Sequence, residues 1–230
     1  MLKVSKMGVL LAVMALSGLL ASSASAANWH TNGHATFAST DAGISRLVIH
    51  PSAGGSSVTL QCPTSSGQVT LNGPTSATLP WVNAATVTPV FGAAGNCTVN
   101  GVLGFTVVCG TAELRANSYS GGDTIETAGG GITEGSVTGV DCRLSAGAST
   151  CSTITGSVTG HYTNPNPIAT GAGRLTITNT GQSLTVEKIG AGCAAIPHGN
   201  GTFGSPNGTG VGHTTYTVDG PNAPYIFRGT

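Results

Sequence analysis

His30 is the residue whose position could make a metal centre directly. It sits in Asn28-Trp29-His30, just behind the small residues Ala24-Ser25-Ala26, which fit the rule for a signal-peptidase cut. Cleavage after Ala26 leaves a chain that starts at Ala27. Cleavage after Ala27 leaves Asn28-Trp29-His30, with a free amine, two deprotonated amides and a third-position imidazole. Those four nitrogens form a square plane that suits copper(II) or nickel(II). The plainer reading is a polar lead-in to a first strand. His34 faces the same side of such a strand but about 13 Å away, so it joins no chelate unless Asn32-Gly33 turns the chain.

The other candidate chemistry is thinner. Five of the eight carboxylates, Glu113, Asp123, Glu126, Glu134 and Asp141, fall in one stretch. The loop-like SGGDTIETAGGGITEG around Asp123 could supply oxygen ligands to calcium, but it has neither EF-hand nor calcium-repeat spacing. Glycosidase chemistry needs two opposed carboxyls, which spacing alone does not establish here. Solvated hairpin acids are the simpler account. GSVTG, which occurs at Ser136 and again at Ser157, puts its serine one place too early for a nucleophile elbow, and no helix follows. His50, His161, His198 and His213 show no ligand spacing. Trp81, in LPWVN, could stack on a sugar ring with Tyr119, Tyr162 or Tyr225, although tryptophan is more often a core residue.

These residues need a frame, and composition constrains it. Lys3 and Lys6 followed by the apolar run from Met7 to Leu20 read as a signal peptide over residues 1–26, too short to span a bilayer comfortably. The rest, 27–230, is expected to be secreted and without a membrane span. Charged residues make up 7% of the chain and Lys188 is the one lysine after the leader, so nucleic acid is a poor partner. Cys62, Cys97, Cys109, Cys142, Cys151 and Cys193 all follow the leader, an even number that implies about three disulfides in an oxidising compartment.

Apolar residues alternate in short runs closed by Gly, Pro, Asn or Ser. The alternation predicts strands at 34–39, 46–50, 57–61, 68–72, 85–91, 105–109, 113–118, 124–127, 135–143, 151–163, 174–178, 184–189, 202–204, 214–218 and 225–228. The expected fold is all-β, an antiparallel sandwich or an irregular barrel-like sheet. SRLVIH…VTLQC ending at Cys62 is echoed by GRLTIT…LTVEKIGAGC ending at Cys193, which raises the possibility of two similar halves with a break near 119–131. Pairing the two GSVTG arms as a hairpin centred on Ala146-Gly147 sets Cys142 opposite Cys151. A Cys142–Cys151 disulfide is therefore expected, with Cys62–Cys97 and Cys109–Cys193 as the companion guess.

The succession of signal peptide, VTLQC, GQVTLNG, TPVFGAAGNC, cysteine hairpin and GHYTN resembles uncharacterised secreted all-β proteins of high-GC Gram-positive bacteria. In its alternating β runs and scattered cysteines it is also similar to the secreted alkane-oxidation activator family. Neither resemblance carries a catalytic motif, so they imply a compartment and a fold class but no residue role. The resulting expectation is a secreted structural, surface or adhesive protein without evident catalysis, whose partners would be polysaccharide, the cell surface or itself. The alternative is a module that binds carbohydrate or another ligand. No cofactor is expected beyond the copper, nickel or calcium possibilities above.

Overall fold

The computed structural model describes residues 26–29, 34–39, 45–72, 77–92, 96–120, 130–166, 171–190, 193–204, 213–219 and 225–228. These form β1 (Ala26–Trp29), β2 (His34–Ser39), β3 (Ser45–Pro51), β4 (Val58–Cys62), β5 (Ser65–Leu71), β6 (Ala77–Thr78), β7 (Trp81–Phe91) and β8 (Cys97–Val99). They continue through β9 (Val102–Cys109), β10 (Ala112–Ser120), β11 (Gly131–Ala146), β12 (Ser149–Thr163), β13 (Gly173–Lys188), β14 (Gly199–Gly204), β15 (His213–Asp219) and β16 (Ile226–Arg228). The fold is all-β, as the alternation predicts, and it takes the barrel-like form. No helix among the described residues is long and apolar enough to cross a membrane.

Thirteen strands join in one sheet, and each has at least two partners. Following the pairings gives two closed antiparallel circuits. The first runs β7–β10–β11–β12–β13–β15–β2–β5 and back to β7. The second runs β9–β11–β12–β13–β14–β3–β4–β8 and back to β9. The long strands β11, β12 and β13 belong to both. Each circuit encloses its own core. Trp81, Leu114, Ile132, Tyr162, Ile177 and Tyr216 fill the first, while Leu47, Ile49, Val99, Leu144, Ile154 and Val186 fill the second. The small sheet β16–β1–β6 adds Ile226 to the first core.

The shared strands are irregular where they pass from one circuit to the other. β11 bulges at Gly139, whose φ of 72° suits glycine. On β13, residues 179–182 bow out of the ladder, because Thr159 pairs with Thr178 while Ser157 pairs with Ser183. The Gln182 side chain takes over the missing backbone bonds. Its amide donates to the carbonyls of Thr178 and Phe203, and its oxygen accepts from Phe203 N–H at 2.7 Å. The two runs expected at 174–178 and 184–189 are thus one strand, and their turn signal is absorbed as a bulge. The hairpin echo of β3–β4 therefore has no hairpin counterpart at β13. The two circuits interleave along the chain, and most of the expected break near 119–131 lies outside the described residues. The strand expected at 124–127 lies outside the described residues, and β1, β6 and β8 were not foreseen.

The GSVTG arms do pair with each other, Gly135 with Gly160 and Thr138 with Ser157. The turn falls at Gly147-Ala148, and bulges shift the register, so Cys142 faces Ile154. The expected Cys142–Cys151 bridge is thereby corrected. Cys142 bonds Cys109, its directly opposed neighbour on β9, with Cα atoms 3.9 Å apart. Cys151 bonds Cys193 in the β13–β14 connection, which displaces the expected Cys109–Cys193 bridge. Cys62–Cys97 forms as expected, across β4 and β8.

Candidate functional site

Alternation decides what each strand shows to solvent. On β10, Ala112, Leu114 and Ala116 point inward, and Glu113 and Arg115 stay exposed. The same rule places the expected sugar platform in the interior. Trp81 and Tyr162 are 7% and 5% exposed and belong to the first core, and half-buried Tyr119 packs against it. Structure therefore brings the three rings into one cluster, but as packing rather than as a stacking surface. Burial raises the Tyr162 phenol far above its ordinary value and also raises that of Tyr225.

The metal candidates are dispersed or undescribed. Asn28 and Trp29 pair with Phe227 and Ile226 in β1–β16. A chelate drawing on the Trp29 amide would have to take it from that strand. His30, Asp123 and Glu126 lie outside the described residues. Among the described residues, no group of three His, Cys, Asp or Glu side chains could hold a metal ion. His50 Nδ1 lies 3.0 Å from Ser57 Oγ across the β3–β4 hairpin, a contact that sequence spacing did not suggest. Both residues are exposed.

The feature that does enclose space is a cavity of about 110 Å³ at the waist between the two cores. Leu47, Val107, Ile154 and Leu184 line it from the second core, and Val137 and Ile177 from the first. Its polar side chains on the interior face are Ser45 and Tyr216. Ser45 Oγ donates to Ser65 Oγ at 2.5 Å and lies 3.2 Å from Tyr216 Oη. All three hydroxyl residues are buried. Arg46 and Asp141 also touch the cavity, but each sits between inward-facing neighbours on its strand. Arg46 Nε donates to Gln61 Oε1 at 3.1 Å, and Asp141 is exposed. Gly110 and Asp141 are joined by a 2.8 Å bond from Gly110 N–H to the Asp141 carbonyl; they are the exposed members of the lining and mark its way out.

No single run of sequence announces this cavity. Its walls come from ten strands, and each contributes residues that read as ordinary core. The one available signal was the pair Ser45 and Tyr216, polar groups at positions whose alternation points inward. Comparison with known families, curated proteins and solved structures found no match to this chain.

Proposed function

We propose that the chain is a secreted protein with a structural, surface or adhesive role. The observation that carries this reading is the make-up of its outer face. Thr86, Glu113, Thr138, Ser157 and Ser183 stand in register across five strands, none of them buried. Asp141, Thr155, Thr185, Asn200 and His50 form a second such row, all exposed. Hydroxyl and amide groups make up most of these rows, with Glu113 and Asp141 as their carboxylates. They can hydrogen-bond a polysaccharide or a cell wall without the salt sensitivity of an ionic surface. Three disulfides suit an oxidising exterior.

Closure of both circuits favours surface attachment over self-assembly, because no strand of the main sheet lacks a second partner for another copy to replace. The test is to express the full chain in a secreting bacterium and fractionate medium, wall and cytoplasm. Expected is a disulfide-bonded product in the medium or wall fraction whose intact mass begins at Ala27. A reduced, leader-bearing chain kept in the cytoplasm would overturn the proposal. A mass beginning at Asn28 would leave it standing and place His30 third, as the copper-type chelate requires.

Ligand binding is favoured by a separate observation, the waist cavity. With Trp81 and Tyr162 inside, an exposed-ring sugar site loses its residues, and the ligand in question becomes an apolar one.

A further inference from the structure

We infer that the waist cavity is a site for a single-ring aromatic hydrocarbon, recognised by the rings of Phe91 and Phe203. Both residues line the cavity. Their ring centroids are 5.7 Å apart, and the planes meet edge to face at 62°. Phe91 stands opposite Val107 and Phe203 opposite Leu47, both inward residues of the second core. Phe91 and Phe203 are nevertheless only half-buried, so each keeps ring surface that no neighbour covers. Gln182 holds the Phe203 backbone in place through both its N–H and its carbonyl. A third ring can join this pair in the same edge-to-face geometry, and the ring quadrupoles favour it over a saturated body of equal size.

Size sets one limit. A cavity of about 110 Å³ is below the ~150 Å³ engineered cavity that accepts benzene, so one ring is the most it holds. An extended lipid or an oligosaccharide is too large. The space exists because the waist strands carry small side chains, Val87, Val107, Ala112, Val137, Val140 and Val158, where the first core elsewhere has Trp81 and Tyr162. Polarity sets the other limit. Ser45 Oγ donates to Ser65 and lies beside Tyr216, which has a further interaction of its own. Arg46 donates to Gln61, and Asp141 is exposed. What remains of the lining is apolar, and a water there would lack the ~3 polar partners it needs. A ligand hydroxyl would be buried unpaired, and a carboxylate would lose its hydration with nothing to replace it.

This inference rests on the ligand-binding reading above and not on the surface role, which fractionation tests separately. The test uses the disulfide-intact protein and four probes, benzene, cyclohexane, phenol and benzoate, followed by amide NMR shifts. Benzene is expected to saturate, with shifts centred on Phe91, Val107, Val137 and Phe203. Cyclohexane should bind the same site about threefold more weakly, for want of a ring quadrupole. Phenol should bind about tenfold more weakly than benzene, and benzoate should not bind. Phe203→Leu should bring benzene down to the affinity of cyclohexane. Val158→Phe, which places a ring in the cavity wall, should abolish binding of both. No saturable response to any probe would overturn this inference together with the ligand-binding reading. Phenol, benzoate or cyclohexane binding as tightly as benzene would leave that reading standing and overturn the aromatic-hydrocarbon site. So would unchanged benzene affinity in Phe203→Leu. The wild-type probe order decides alone if neither variant folds.

Discussion

Glycines 156 and 160 are where single residues constrain the shared strands most tightly. A Cβ on Gly156 would lie 1.8 Å from the Ser183 carbonyl oxygen, at a φ of +129°. On Gly160 it would lie 2.3 Å from the Thr176 carbonyl oxygen. β12 thus crosses β13 closer than any side chain permits. Gly156→Ala should destabilise the protein by about 3 kcal/mol or more, read as a lower urea midpoint at unchanged slope. The exact repeat of GSVTG was legible as two pairing arms. The need for glycine in the second was not, because the obstructing carbonyls, of Ser183 and Thr176, come from the neighbouring strand β13. Tyr162 supplies a pH test. Its folded pKa is raised by burial, so its contribution to stability is intact below the unfolded value of about 10 and is lost as pH climbs above it, by up to ~1.4 kcal/mol per pH unit. Stability of the wild type should fall through that range, and Tyr162→Phe should reduce the slope. An equal slope in both would assign alkaline unfolding to other groups.

At the scale of elements, alternation told most strands correctly, since inward Val, Ile and Leu repeat with period two. Joins between strands were less legible. TNTGQ carries every mark of a turn, yet it becomes a bulge because Thr159 donates to the Thr180 carbonyl and Gln182 bridges to Phe203. The same residue types serve both outcomes, and only the neighbouring strand decides. Asn164 is a comparable side-chain substitute for backbone. Its amide donates to the Ile226 carbonyl at 2.8 Å and accepts from Ile226 N–H at 2.9 Å. This buried clamp ties β16, and through it β1, to the end of β12. Asn164→Ala leaves a buried N–H and a buried C=O without their partner. It should cost about 2–4 kcal/mol and speed amide exchange at Ile226 before the rest of the sheet. Uniform exchange across the molecule would show that the clamp is not local.

For the molecule as a whole, the two circuits are stabilised by different means. Five of the six cysteines lie in the second core and Cys109 packs against it, while the first core contains none. Loops of 33, 35 and 42 residues correspond to about 4 kcal/mol each in the chain-entropy account. Large side chains such as Trp81, Tyr162 and Tyr216 hold the first core instead. Mild reduction should therefore loosen β3, β4, β8, β9 and β14 first. Limited proteolysis should cut there while the strands around Trp81 remain protected. Cuts spread evenly over both circuits would mean that the molecule unfolds as one unit. The even cysteine count and the strand-rich pattern made a stapled β fold legible. The double circuit was not legible, because it depends on three strands long enough to serve two cores, a property of pairing and not of any one segment. That architecture dictates which cysteines can meet. Non-reducing peptide mapping of the purified, unreduced protein tests it most directly. The expected map is Cys62–Cys97, Cys109–Cys142 and Cys151–Cys193. A Cys142–Cys151 linked peptide would contradict the shared-strand register and the waist between the cores that depends on it.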